Sequence, residues 1–411
     1  MASRALETPR RHLRLVREGE RAARAPRARG RAVAARRNPP VVLLLLACTG
    51  LLTAIGLIMV LSASSVSSSL KYGSPFPIFR RQALYAVAGA LVLLLTANIR
   101  YRAWQRLWIP LTAASAALLV LVLHPGAGTV AGGSARWIAL GPVTVQPSEL
   151  AKLAVVTFSA AILVRKSKRL NEPLHVALPL LPMLAAVCGL ILLQPDLGTT
   201  VLIAGMAFIV LFVAGVRVRH LVAGALASTA LAGLLVLSHH YQRVRLLAFL
   251  HPWKDPMNTG YQVVQSLIGL GSGGLFGVGL GASRQKWMYI PNAHTDFIFS
   301  ILGEELGLIG ALVVLLLFGL LIYSGIRIAA RTRDPFGRLL AAGITGWLGL
   351  QTLVNLGTVT GLLPVTGVPL PLVSFGGSSL VVTLAAVGIL VNIGRTAEME
   401  RPKPRRRRTD R

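Results

Sequence analysis

Asp296 has the residue type and position for chemistry. It lies in the run Trp287 to Leu306, WMYIPNAHTDFIFSILGEEL, where a long polar, Gly-rich stretch gives way to a hydrophobic helix. Pro291 has a fixed φ and no N–H, which suits the entrance to a helix. Asp296 therefore falls near a helix N-terminus, where free N–H groups and the positive end of the dipole favour a carboxylate. Phe297, Ile298, Phe299, Ile301 and Leu302 then lead into an apolar span, so an acid stands at a membrane rim. Acids at that depth are costly and read first as functional. The position equally suits an Asp that caps the helix, and capping and proton transfer are compatible roles.

Other charged groups flank the spans. In QPSELAK, Ser148 is placed to cap a helix, and Glu149 and Lys152 share one helical face. They can pair with each other or meet an anionic headgroup. Arg136 stands in the preceding GGSARW, and Asp196 lies in the turn QPDLGTT beside another helix start, where capping is the plainer role. The longest stretch between spans, Ser238 to Thr295, carries Arg243, Arg245, Arg284 and Lys286, the sequence HPWKDP, Gln262, Gln265 and seven glycines from 269 to 281. Its length favours a functional role. No Gly-Lys-Ser/Thr follows the glycines and no strand precedes them, so a nucleotide loop is rejected. The glycines would let a re-entrant segment bend closely over a substrate, and the basic residues would suit a pyrophosphate. Ordinary solvation of a loop is the bland alternative. Glu304 and Glu305 follow Asp296 by eight and nine positions, about 12 Å further along a helix and rotated roughly 80° and 180° from it. They are expected to face the bundle and pair with Arg or backbone partners. The segment TGVPLPLVSFGGSS, Thr366 to Ser379, would line the same cavity or cap the last helix.

Ten apolar segments of spanning length must position these groups. They fall at 41–62, 82–99, 107–123, 150–164, 174–193, 199–216, 219–237, 297–325, 339–360 and 376–394. With the amino terminus inside, 33 basic residues fall on the cytoplasmic side against 10 on the other, which fixes the orientation. The expected architecture is an all-α polytopic membrane protein with ten transmembrane helices. Both termini are cytoplasmic, and a large extracytoplasmic loop, 238–295, joins helices 7 and 8. The gap between spans 5 and 6 is a tight turn from Gln194 to Gly198. No internal sequence repeat is visible, which disfavours an inverted-repeat transporter.

Composition supports the same class: 54% of the 411 residues are hydrophobic and 14% charged. A net charge of +29 would point to nucleic acid in a soluble protein. Here it is distributed as topology. Residues 1–40, with twelve Arg against Glu7, Glu18 and Glu20, read as a basic, disordered cytoplasmic segment that can touch anionic lipid. Residues 41–394 form the membrane domain, and 395–411 a basic cytoplasmic tail. No cleavable signal is expected, so the first span serves as its own. Cys48 and Cys188 lie within apolar spans and are expected to be buried and inert, without a disulfide framework.

The motifs GGSARWI, QPSELAK, QPDLGTT, HPWKDP, GYQVVQSL, PNAHTDFIFSILGEELG and PLPLVSFGGSS, in this order, resemble the SEDS family (shape, elongation, division and sporulation). The resemblance covers essentially the ten-span region. Within it the chain looks like the cell-division branch, because Ala293 precedes His294 where the elongation branch usually has Arg. Trp287-Met288 is bulkier than is common there, and the Arg-rich N-terminal segment is not shared.

The resemblance implies a peptidoglycan glycosyltransferase that polymerises lipid II, working with a class B penicillin-binding protein and other membrane proteins of division. The acid of HTDFIF, the family's catalytic residue, maps to Asp296. Arg136, Glu149, Lys152, Asp196, Arg245 and Lys286, with His294 and Thr295 of the same motif, become expected substrate-binding residues. The site would face the extracytoplasmic side of the bacterial inner membrane, at the septum. No His/Cys metal cluster is visible, and a divalent cation, Mg or Mn, would enter with the substrate pyrophosphate. Three rivals stand beside this reading: a lipid II flippase, kept open by Glu304 and Glu305, an elongation-type polymerase, and a non-catalytic division scaffold.

Overall fold

The computed structural model describes residues 38–126, 128–131, 134–141, 143–170, 172–238, 240–291 and 293–399. Most of the basic N-terminal segment, residues 1–37, and the end of the tail, 400–411, lie outside the described residues. Twelve α-helices form the body: α1 (Pro40–Tyr72), α2 (Pro77–Asn98), α3 (Trp104–Leu123), α4 (Pro147–Arg165), α5 (Pro173–Leu192), α6 (Leu197–Ala214), α7 (Val218–Ser238), α8 (His240–Leu250), α9 (Tyr261–Ser272), α10 (Ile298–Arg331), α11 (Pro335–Val359) and α12 (Gly377–Met399). Among the described residues, ten are long and apolar enough to cross a membrane, all but α8 and α9. They occupy the ten places expected from hydropathy.

Several ends run further than the apolar runs. α1 continues ten residues beyond the expected 62 because its serines find acceptors. Ser64, Ser65 and Ser67 donate to carbonyls three or four residues back, and Ser62 donates to Glu305. α12 reaches Met399, so the tail begins later than the expected residue 395. The tight turn between spans 5 and 6 is confirmed between Leu192 and Leu197.

α4 is the centre of the bundle. Its spanning window is 89% buried, including polar Ser148, Glu149, Lys152, Thr157 and Ser159, whereas none of the window of α7 is buried. Exposed Leu84, Leu91, Leu95, Leu226 and Leu234 face outward. An apolar exterior of this kind matches lipid rather than water.

Two elements outside the spans matter. The link between α3 and α4 is a three-stranded antiparallel sheet, β1 (Gly128–Ala131), β2 (Ser134–Leu140) and β3 (Val143–Val145), with β2 in the middle. It docks on α2, where the Tyr85 hydroxyl accepts the Thr144 N–H at 2.8 Å, and it carries Arg136 on β2. The second is the segment 364–375 before α12, which is buried at Val368, Leu370, Leu372 and Val373 and so re-enters the bundle.

Candidate active site

The turn that carries Asp296 is held by its neighbours. Ile290, Ala293 and Phe297 are buried and anchor it to the core. The His294 carbonyl accepts the Phe375 N–H at 2.9 Å, and the two rings meet edge to face at 5.4 Å. Asn355 Nδ2 donates to the Asp296 carbonyl and to the Val368 carbonyl, both at 2.8 Å.

The carboxylate itself is lightly held. Asp296 Oδ1 accepts from the Thr295 hydroxyl at 2.7 Å. α10 begins at Ile298 with Phe297 as its N-cap and no side-chain capping bond, so the capping role open to Asp296 on sequence grounds is not taken. Asp296 sits just ahead of the cap, close to the positive end of the helix. Burial raises its pKa, against the Thr295 hydrogen bond, its own backbone N–H and the charge of Arg245, which lower it. Burial also lowers the His294 pKa to about 4, so the imidazole is neutral near pH 7.

The segment 364–375 gathers the remaining groups. Arg245, on α8, donates from Nη1 to the Val365 carbonyl at 3.2 Å. At Gly198 a Cβ would meet the Thr366 carbonyl at 2.5 Å, so the Asp196 turn packs against the same segment. Gln351 Nε2 donates to the Pro369 carbonyl at 2.8 Å. A polar stripe on α11, Gln351 and Asn355 four residues apart, thus ties this segment to the Asp296 turn from beneath.

Arg136 and Asp196 form a second group. The guanidinium donates to the carbonyls of Gln194 (3.1 Å) and Pro195 (2.7 Å) and lies 3.8 Å from the Asp196 carboxylate. Asp196 caps α6 as expected, accepting from the Thr199 N–H and hydroxyl. Glu149 and Lys152 make the expected intrahelical pair at 2.8 Å, with side chains 3% and 1% exposed. Lys152 also donates to Gln351 at 2.9 Å and lies over the Trp347 ring. This pair reaches Asp296 only through α11, which makes it a support. Ser148 does not cap α4; Gln146 occupies the N-cap, without a side-chain bond, and Pro147 starts the helix. The ring of Pro147 needs no donor at that position.

Lys286 belongs to a third group. It is buried between the Gly281 carbonyl and Glu305, 3.8 Å from the latter. Glu304 accepts from the Ser283 hydroxyl (2.5 Å) and the Arg284 N–H (2.9 Å), and Glu305 from the Ser62 hydroxyl at 2.6 Å. The expected pairing of these acids with backbone groups is met, with Lys286 in place of an Arg. The glycine run threads into a break in α10. Gly307 has φ 68° and ψ −169° there, and the carbonyls of Glu304 and Glu305 accept the N–H groups of Val278 and Gly279. In return Leu308 and Ile309 donate to Gly274 and Leu275. The glycines therefore wedge the helix open, a re-entrant course consistent with the sequence.

Hydropathy did not mark Ser62, Gln351 and Asn355. Their signal is amide and hydroxyl groups inside or at the end of apolar spans, the two amides at helical spacing, where an unpartnered polar group is costly.

A family model described as "Cell cycle protein", for FtsW, RodA and SpoVE, matches residues 42–399. The chain belongs to the FtsW/RodA/SpoVE family. Two relatives place it among the family's members. It is 43% identical over 353 residues to a probable peptidoglycan glycosyltransferase FtsW of Geobacter metallireducens, covering 86% of this chain and 94% of that one. It is 45% identical over 354 residues to stage V sporulation protein E of Bacillus subtilis, covering 86% and 96%. The fold matches a chain of a peptidoglycan synthase complex, solved for the coordination of polymerization and crosslinking, with TM-score 0.71 and 35% identity over 86% of this chain and 97% of that one. The FtsW relative agrees with the branch read from Ala293-His294.

Proposed function

We propose that this protein is the FtsW-type peptidoglycan glycosyltransferase of bacterial cell division, polymerising lipid II with Asp296 as general base. One observation carries the residue assignment. At the rim of the bundle, beside a helix N-terminus and within the field of Arg245, one carboxylate has an uncapped helix end behind it and is met by the Thr295 hydroxyl and its own backbone N–H. A base needs that freedom, and it must come within about 2.6–3.2 Å of the proton it takes.

The 4-hydroxyl oxygen of an acceptor sugar attacks the anomeric carbon of a donor sugar on undecaprenyl pyrophosphate. The new C–O bond forms as the bond to pyrophosphate breaks, the hydroxyl proton passes to Asp296, and the pyrophosphate leaves as an anion. A single inversion turns an α-linked donor into a β-linked product. Arg245 supplies the positive charge for the leaving group. The charge of Arg245 acts at Asp296, whereas Lys286 is buried against Glu305 and Gly281 and Arg136 is bonded to the Asp196 turn, so these two shape the surroundings. His294 and Thr295 orient the acid.

Among the described residues there is no group of three or more His, Cys, Asp or Glu able to hold a metal. One free carboxylate does fit a cation that is carried mainly by substrate phosphates, as Mg commonly is. Asp296 would contribute an oxygen, and the ion would neutralise the pyrophosphate.

The orientation follows the basic residues: both termini cytoplasmic, and the Asp296 rim on the extracytoplasmic side of the inner membrane, at the septum. The partner is a class B penicillin-binding protein that cross-links the new strands, within a larger division assembly. The acids that would motivate a flippase, Glu304 and Glu305, are bonded to fixed groups of the protein.

The test is polymerisation of labelled lipid II by the purified protein with its cognate penicillin-binding protein, comparing wild type with Asp296→Ala and Asp296→Asn. Folded, partner-binding variants that make no glycan support the assignment. Normal polymerisation by either variant removes Asp296 from the chemistry.

A further inference from the structure

A cavity of about 530 Å³ lies beside the glycine-rich segment, lined by Gln265, Arg284, Gln285, Trp287 and Tyr289. That volume falls within the range of small-ligand sites. Gln265 comes from α9, and the other four from the stretch that leads into the Asp296 turn.

This wall is fixed from behind. Glu304 receives the Ser283 hydroxyl and the N–H groups of Arg284 and Gln285, while Glu305 receives the Ser283 N–H. Lys286 is drawn inward between Glu305 and Gly281. With the backbone at 283–285 held inside, Arg284 and the run 287–289 are presented outward. Trp287 and Tyr289 are 63% and 52% exposed, and Arg284 is exposed too. Among the described residues, no carboxylate lies within ion-pair distance of the Arg284 guanidinium. Gln285 is the reverse: it is 6% exposed, yet its Oε1 has no hydrogen-bond partner. A buried amide oxygen left in that state is costly unless something donates to it. The Gln285 carbonyl also accepts the Ile290 N–H at 3.1 Å, so the cavity wall and the approach to Asp296 are one continuous backbone.

We propose that this cavity is a binding site for an acidic, N-acylated saccharide. The aromatic faces cover the C–H faces of a sugar ring, Gln285 Oε1 accepts an amide or hydroxyl proton, and Arg284 pairs with a carboxylate or phosphate. The proposal rests on the glycosyl-transfer reading for the source of the ligand. Two sources share this chemistry: the lipid-linked precursor and the strand already made.

The experiment titrates the full-length protein in detergent with three probes. They are a soluble N-acetylglucosamine–N-acetylmuramic acid tetrasaccharide carrying its peptides, lipid II, and a neutral N-acetylglucosamine tetrasaccharide. Wild type should bind the acidic soluble probe, Arg284→Gln should weaken it by roughly tenfold, and Trp287→Leu should weaken both soluble probes. The neutral probe should not distinguish Arg284→Gln from wild type. Both substituted side chains are exposed, and an unchanged unfolding temperature confirms that each variant is folded. Loss for the acidic tetrasaccharide alone assigns the cavity to the strand, and loss that extends to lipid II assigns it to the precursor. Equal binding by wild type and both variants, or no binding of either acidic probe by wild type, overturns the proposal. Binding and polymerisation are read separately. If wild type binds the probe but makes no glycan, the glycosyl-transfer reading fails and the cavity assignment stands.

Discussion

Asp296 and the pair Glu304–Glu305 lie within ten residues of one another at the start of a single helix, yet their carboxylates are treated in opposite ways. The pair is almost fully buried, at 1% exposure each, and is tied to Ser62, Ser283, Arg284 and Lys286. Asp296 is half-buried and has the Thr295 hydroxyl as its side-chain hydrogen-bond partner. Acids near this helix start therefore divide into those that hold structure, deep and met by several fixed donors, and one at the rim that is met by few.

The comparison breaks most visibly in activity. Asp296→Asn keeps shape and removes the base, so polymerisation should fall by about 10²- to 10⁴-fold, with thermal stability close to wild type. A labelled lipid II assay beside a melting curve in detergent reads both. Glu305→Ala should do the reverse. It leaves Lys286 buried without its acid, and breaking such a pair costs about 3–5 kcal/mol. Loss of folded protein before loss of specific activity is the expected result; a stable, inactive Glu305→Ala would place that acid in the chemistry instead.

Gly307 sharpens the same point. Its φ of 68° with ψ of −169° is a conformation that side chains avoid, and a Cβ there would press on the backbone of Gly277 and Leu275. Gly307→Ala should destabilise by about 1–3 kcal/mol and release the glycine segment from the helix break. Faster hydrogen exchange at Val278 and Gly279, whose N–H groups bond to Glu304 and Glu305, would report it. Unchanged protection there would mean that the wedge does not depend on this backbone strain.

The ten spans were legible because about 20 apolar residues in a row have few other uses. The end of α1 was not, because the serines beyond residue 62 are satisfied by contacts that hydropathy does not count. Asp296, the Glu149–Lys152 pair and the Asp196 cap were readable from local spacing. What spacing hid was long-range: Asn355 holds Asp296 from 59 positions away, and Arg245 reaches Val365 across 120. The sheet carrying Arg136 was also hidden, since strands of four, seven and three residues leave little periodicity to read. Ser148 illustrates the opposite error, a good capping residue two positions past the N-cap of a helix that starts at Pro147.

The smallest expected effect concerns pH, and it tests whether Arg245 acts on Asp296. Burial raises the Asp296 pKa above its ordinary 3.8, and Arg245 works against that rise. A base must be unprotonated, so activity should fall as pH drops through the raised value, earlier than for an ordinary carboxylate. For stability the sign is opposite: the folded state holds the proton more tightly, so this group's contribution declines as pH rises from 3.8 through the raised pKa. His294 runs the other way, binding its proton less tightly when folded, so its contribution is lost as pH falls from 6.5 towards about 4. Arg245→Gln removes a charge that favours the ionised acid. The acidic limb of the polymerisation profile should then move to higher pH, while the melting temperature at neutral pH stays near wild type. A lower plateau with an unmoved limb would mean that Arg245 serves the leaving group alone and does not tune the base.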